Sequence, residues 1–133
     1  MAQLDIKRVY DTPADDDGYR VLVDRLWPRG VSRDRARLDA WCKDIAPSPQ
    51  LRTWWGHDPA RMAEFADRYR HELDENPAVA EFEAMLYDHD RVTLLYGTHD
   101  PDVNHAAILR DYLLEHRRGA RGTAIGIPPE RVE

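Results

Sequence analysis

One cysteine, Cys42, is present in the chain of 133 residues. That excludes an internal disulfide and a thiolate zinc cluster. Cys42 stands beside Trp41 with no activating neighbour in sequence, so it reads as a half-buried structural thiol. Long apolar runs are missing too. The longest, Val92 to Tyr96, is far short of the ~20 residues that span a bilayer, so no membrane partner is expected. The first residues hold no apolar run flanked by bases, which leaves no secretory signal and makes the cytoplasm the expected location. Positive charge is short as well: 19 bases face 25 acids, for a net charge of −6. A chain without an overall basic field is a poor general binder of nucleic acid, so nucleic acid is not an expected partner. There is no Gly-rich phosphate loop, no Gly-x-Ser-x-Gly elbow and no His-Glu-x-x-His pair. No cofactor is expected.

What is present suits one domain, since domains usually hold roughly 50–200 residues. No internal repeat is visible. Leu4 to Val9 reads as a strand, and an acidic loop from Asp11 to Gly18 follows it. Arg20 to Leu26 reads as a second strand, centred on the continuous apolar run Val21-Leu22-Val23. Trp27-Pro28-Arg29-Gly30 ends it. Ser32 caps a short helical turn, and Leu38 to Ile45 is ambiguous. Three Pro-led starts then predict helices. Ser48-Pro49 opens one that stops at Gly56. Asp58-Pro59 opens one whose apolar stripe is Met62, Phe65, Ala66, Tyr69 and Leu73. Asn76-Pro77 opens one carrying Val79, Phe82, Met85 and Leu86. Arg91 to Tyr96 is the clearest strand. A last helix, capped by Asp100 before Pro101, runs to about His116.

Buried-type strands alternating with helices predict an α/β fold: a small layered domain with a mainly parallel sheet flanked by helices. Residues 1–116 are expected to form that single domain, and 117–133 a flexible or extended tail. Val21–Arg25 and Val92–Tyr96 should be parallel neighbours. Sites in open α/β sheets gather at the carboxyl ends of strands, here the loops after Leu26 and Tyr96.

Three phrases carry a resemblance: Val21-Leu-Val-Asp-Arg-Leu-Trp-Pro-Arg-Gly30, Trp54-Trp-Gly-His-Asp-Pro59, and Val92-Thr-Leu-Leu-Tyr-Gly97 with Asn104-His105. The chain resembles the YeaO-like branch of the domain of unknown function 488 (DUF488) family from about Leu4 to His116. The resemblance implies a bacterial, cytosolic α/β domain and no established activity. A sister branch has a cysteine near the end of the last strand and Cys-His-Arg at the next helix start. Here Tyr96 lies near the first position, and Asn104-His105 resembles the second pattern without its Cys or Arg.

The candidate site residues fall near the two strand ends. Arg25 and Arg29 are bidentate donors suited to phosphate or carboxylate, and Trp27 can stack on a flat ligand or a guanidinium. The plain structural reading pairs Asp24 with an arginine and makes Trp27 a core edge. His105 begins an inward helical face completed by Ile108, Leu109, Tyr112 and Leu113, which makes it the candidate general acid or base; a core histidine is the dull alternative. Trp55 and Tyr96 are candidate walls, with His57, His99 and Asn104 within reach. His99, Asp100 and His105 could hold a divalent metal, but their spacing matches no known pattern, so no metal residue is assigned. Arg33, Arg35 and Arg37 read as a solvated, ion-paired face.

Three functions stay open. The first is a pocket for a small anionic or nucleotide-like ligand, with hydrolase or transferase chemistry as an extension. The second is a non-catalytic binding or regulatory module. The third is a metal-dependent enzyme. Oligomeric state is not legible.

Overall fold

The computed structural model describes residues 3–98 and 104–123, with side chains to Glu115. Four strands, β1 (Gln3–Arg8), β2 (Tyr19–Leu22), β3 (Ala40–Trp41) and β4 (Arg91–Tyr96), form one parallel sheet in the order β1-β4-β2-β3. Leu4 lies opposite Val92, Tyr19 opposite the same residue on the other side, and Val21 opposite Ala40. The helices are α1 (Arg33–Ala36), α2 (Pro49–Trp55), α3 (Met62–Asp74), α4 (Ala78–Tyr87) and α5 (His105–Thr123). The chain is therefore the small α/β domain its sequence predicts, with β2 and β4 as parallel neighbours.

Both faces of the central strands are covered, which is why their sequences run apolar instead of alternating. Val21, Val23, Val92, Leu94 and Tyr96 pack with Trp55, Phe65, Tyr69, Leu109 and Leu113 in the larger core. Leu22 and Leu95 pack on the other face with Val9, Val31 and Ala36. The larger core includes an aromatic stack, with Trp55 and Phe65 ring centroids 3.8 Å apart. Among the described residues no helix is long and apolar enough to cross a membrane.

Local chemistry explains the helix starts. Ser48 Oγ accepts the Leu51 N–H, Pro49 fills the first position of α2, and Gly56 leaves it at φ 56°. Asn76 Oδ1 accepts the Ala78 N–H at the start of α4. Asp58-Pro59 opens a single 3-10 turn, Pro59–Arg61, before α3 begins at Met62. Two element ends differ from the sequence reading by more than three residues. β2 stops at Leu22, not Leu26. Val23 still donates to the Leu95 carbonyl, but Asp24 gives its carbonyl to the Trp41 indole and turns its carboxylate away. α5 runs to Thr123, beyond the expected end near His116, and 124–133 lie outside the described residues.

A buried ionic cluster ties β2 to its surroundings. Arg20, 5% exposed, donates to Asp17 at 2.5 Å, to the Ala36 carbonyl at 2.8 Å and to the Arg37 carbonyl at 3.1 Å. It thereby caps the free carbonyls at the end of α1. Lys7 reaches the same Asp17 carboxylate at 3.1 Å. Next to this cluster Gly18 takes φ 69° and lies directly against the Arg91 backbone.

Candidate functional site

The chain leaves β2 toward β3, while the helix following β4 lies back against β1 and β4. Connections that part in this way leave a crevice at the carboxyl ends of the two strands. A cavity of about 210 Å³ occupies it, lined by Asp24 to Pro28 after β2, by Gly97, Thr98 and His105 after β4, and by Arg52, Trp55 and His57 from α2 and its end.

Asp24 joins the two strand ends. Its Oδ2 accepts the Gly97 N–H at 2.8 Å. Its Oδ1 is buried, lacks a hydrogen bond, and lies 3.2 Å from His105 Nε2. The Nε2–H is instead donated to the Val23 carbonyl at 2.9 Å. A carbonyl can only accept, so Nε2 carries the proton and Nδ1 holds the lone pair of the neutral ring. Burial pushes the His105 pKa below its usual 6.5. Asp24 and the Val23 carbonyl pull it up without cancelling that effect, and Arg52 and His57 push it down further. His105 is thus a neutral imidazole at pH 7, in a fixed tautomer.

Two guanidiniums enter the same space. Arg25 is steadied from behind, its Nη2 on the Ala46 carbonyl at 3.2 Å and its Nε on that of Pro47 at 3.4 Å. Arg52 lines the cavity, and its guanidinium makes no ion pair or hydrogen bond among the described residues. Trp55 is a buried wall whose indole donates to the Asp58 carbonyl at 3.2 Å. His57 is exposed at φ 56°, its ring centroid 4.6 Å from that of Trp55. Trp27 is locked by its indole N–H on the Val31 carbonyl at 2.6 Å and forms the opposite wall.

Arg25, Trp27, Trp55, His57 and His105 therefore meet in one cavity, as the strand-end argument anticipates. Other candidates lie elsewhere. Arg29 is exposed and does not line the cavity; its carbonyl accepts the Tyr10 hydroxyl at 2.9 Å. Tyr96 is 2% exposed and belongs to the core. Asn104 is fully buried, and its Oδ1 accepts the Ala107 N–H at 2.8 Å, making it the cap of α5. His99, Asp100 and Pro101 lie outside the described residues, and with them the His99–Asp100–His105 metal arrangement and the Asp100 cap. Among the described residues no three His, Cys, Asp or Glu side chains are placed to hold a metal.

Sequence reasoning missed two residues. Asp24 was weighed only as an arginine's partner, because nothing local shows that its carboxylate crosses to Gly97. Arg52 was legible: it lies three positions before Trp55 on one helix and shares its face. No serine or cysteine lines the cavity among the described residues; the available hydroxyls belong to Tyr10 and Thr98. Cys42 lies in a different depression with Phe82 and Met85, where burial and then Asp44 push its thiol pKa up, away from nucleophilic character.

A family model described as "Inactive DUF488-N3 subclade" matches residues 3–126. An uncharacterized protein of Mycobacterium tuberculosis (strain H37Rv) is 45% identical over 108 residues, covering 81% of this chain and 91% of the relative. The uncharacterized protein YeaO of Escherichia coli (strain K12) is 40% identical over 107 residues, covering 80% of this chain and 93% of the relative. No solved structure matches the chain significantly.

Proposed function

We propose that this chain, which belongs to the DUF488 family and there to the subclade described as inactive DUF488-N3, holds a small oxyanion in the strand-end cavity without turning it over. The observation that carries this reading is the unpaired Arg52 guanidinium beside the carbonyl-steadied Arg25, within a space walled by Trp27 and Trp55. A half-buried guanidinium that faces a cavity and pairs with no carboxylate among the described residues favours an anionic occupant, with the two guanidiniums of Arg25 and Arg52 outnumbering the one lining carboxylate, Asp24. At about 210 Å³ the cavity is smaller than the ~300–1,000 Å³ that encloses drug-sized ligands, which favours a phosphate, sulfate or short carboxylate over a whole nucleotide. The subclade description and the lack of a lining serine or cysteine among the described residues favour binding over hydrolase or transferase chemistry.

Calorimetric titration with inorganic phosphate and sulfate tests this. Arg52→Ala should weaken phosphate by roughly ten- to a hundredfold, since a hydrogen bond to a charged group is worth roughly 1.5–3 kcal/mol. Arg29→Ala should leave affinity unchanged. Equal affinities in all three proteins would reject the site. Turnover of an aryl phosphate that disappears in His105→Gln would reject the non-catalytic part.

His105 also makes a prediction about pH. Its folded pKa is depressed, so its contribution to stability is complete above the unfolded value near 6.5 and is lost as pH falls through the folded value. The groups facing it are Asp24, Arg52, His57, the Val23 carbonyl and, from α3, the Tyr69 ring. Unfolding free energy should therefore climb as pH rises toward the unfolded value near 6.5 and level off above it, and His105→Gln should flatten that climb. Phosphate should shift the climb to lower stability loss in acid, because a bound anion favours the imidazolium. Urea titrations across this range, with and without phosphate, measure both effects. A profile identical in His105→Gln and the parent would show that this histidine does not titrate as described.

A further inference from the structure

The net charge of −6 is an average that hides a partition. Every lysine or arginine that pairs with a carboxylate among the described residues comes from before residue 21 or after residue 60. Between Arg25 and Arg52 the chain carries seven cations against three acids, Asp34, Asp39 and Asp44, and none of the seven forms an ion pair among the described residues. The Arg33–Arg37 run, read from sequence as an ion-paired face, makes no ion pair among the described residues.

These cations are interleaved with aromatic rings across three adjoining depressions. Tyr10 is shared by the strand-end cavity and an open cleft of about 490 Å³ that contains Arg35 and Arg37. Trp27 is shared by the same cavity and a cleft of about 240 Å³ that contains Arg33 and Trp41. Each ring has a cation over it: Arg33 is 5.4 Å from the Trp27 centroid and Lys43 is 4.8 Å from that of Trp41, while Arg8, from outside the stretch and bonded to the Thr98 carbonyl, is 5.1 Å from that of Tyr10. All three rings are half-buried, so they are held in place while part of each remains open.

We propose that this Tyr10–Trp27–Trp41 face binds single-stranded nucleic acid. Alternating cations and ring faces match a chain whose phosphates and unpaired bases alternate; bases stack on the rings while guanidiniums move to the phosphates. A duplex keeps its bases stacked inside, and α1, at four residues, is too short to enter a major groove. Four acids stand in the same three depressions, Asp11 and Asp34 beside Arg35 and Arg37, Asp39 beside Arg33, and Asp24 in the strand-end cavity; they and the acidic remainder of the molecule limit the affinity and oppose indiscriminate polyanion binding.

The test is fluorescence anisotropy of labelled 12-nucleotide single strands, RNA and DNA, on the full chain at about 50 mM salt, with tryptophan emission followed in parallel. Binding should quench tryptophan and weaken with salt, because each phosphate contact releases counterions. Arg33→Glu/Arg35→Glu changes two exposed side chains and should weaken the strand by about tenfold or more while phosphate titration of the cavity stays at parental affinity. That last comparison separates this face from the oxyanion site. The proposal is overturned by an absence of binding at low salt. Charge reversal without effect also overturns it, as does a matched duplex or heparin binding as tightly as the single strand, or a mononucleotide binding as tightly as the 12-mer.

Discussion

Arg20→Met is expected to destabilise the protein by about 3 kcal/mol, because it leaves two helix-end carbonyls without their donor and leaves the buried Asp17 carboxylate only Lys7 and the Ala14 N–H. The guanidinium is nearly inaccessible, and it meets Asp17 and two helix-end carbonyls together. Methionine fills much of the same volume but satisfies none of them. The loss therefore reflects unpaired polar groups more than missing bulk. Lys7→Met should cost about 1 kcal/mol or less, since Lys7 is partly exposed and Arg20 still pairs with Asp17. Asp17 adds an acid limb to the stability profile. Desolvation raises its pKa, but the Ala14 N–H, Lys7 and Arg20 together more than offset this and hold it below 3.8. Its contribution is present above 3.8 and is lost as pH falls through the folded value. Urea unfolding at pH 7 reads the main effect. A midpoint for Arg20→Met within experimental error of the parent would mean that the ionic cluster contributes nothing to stability.

The second large effect is expected at Gly18. A Cβ there would fall on the Arg91 carbonyl oxygen and lie 2.9 Å from the carbonyl carbon, and neither backbone atom can swing aside. The φ of 69° adds strain that an L side chain rarely tolerates. Together these put Gly18→Ala at roughly 3 kcal/mol or more, with overpacking and backbone strain each contributing about 1–3. Gly30→Ala is the control. It has a similar φ of 79° but nothing within 4 Å, so it should lose only about 1 kcal/mol. Thermal melts of the two variants measure the difference. Equal losses would show that the contact with β4 is not what demands glycine at position 18.

The sheet and most helices were readable because local chemistry and packing agree. Val21-Leu22-Val23 and Val92 to Tyr96 are apolar on both faces and are buried on both. Ser48-Pro49 and Asn76-Pro77 cap the helices they precede. The end of β2 was not readable, because Asp24 and Arg25 leave the sheet for partners far along the chain, Gly97 and the Ala46–Pro47 carbonyls. The site was half readable for the same reason. His105 announces itself as a polar group on an apolar helix face, and Trp27 and Arg25 by their place after a strand. Asp24 does not, since its role exists only once β4 lies beside β2. Arg29 and Tyr96 were misplaced by proximity in sequence: one points to solvent, and the other, on β4, packs into the core.

The strand order also governs the life of the nascent chain. β4 lies between β1 and β2, so β1 has no partner until residues made much later have emerged; Gln3 and Arg91 are 88 positions apart. At the usual elongation rate of roughly 5–20 residues per second, β1 waits on the order of ten seconds beside the ribosome with both edges open. An unpaired apolar strand in that setting is an invitation to aggregate. β1 is poorly suited to do so: Leu4 and Ile6 alternate with Asp5 and Lys7, and Arg8 closes the segment. Charges of both signs within six residues act as gatekeepers against pairing with the wrong chain during that wait.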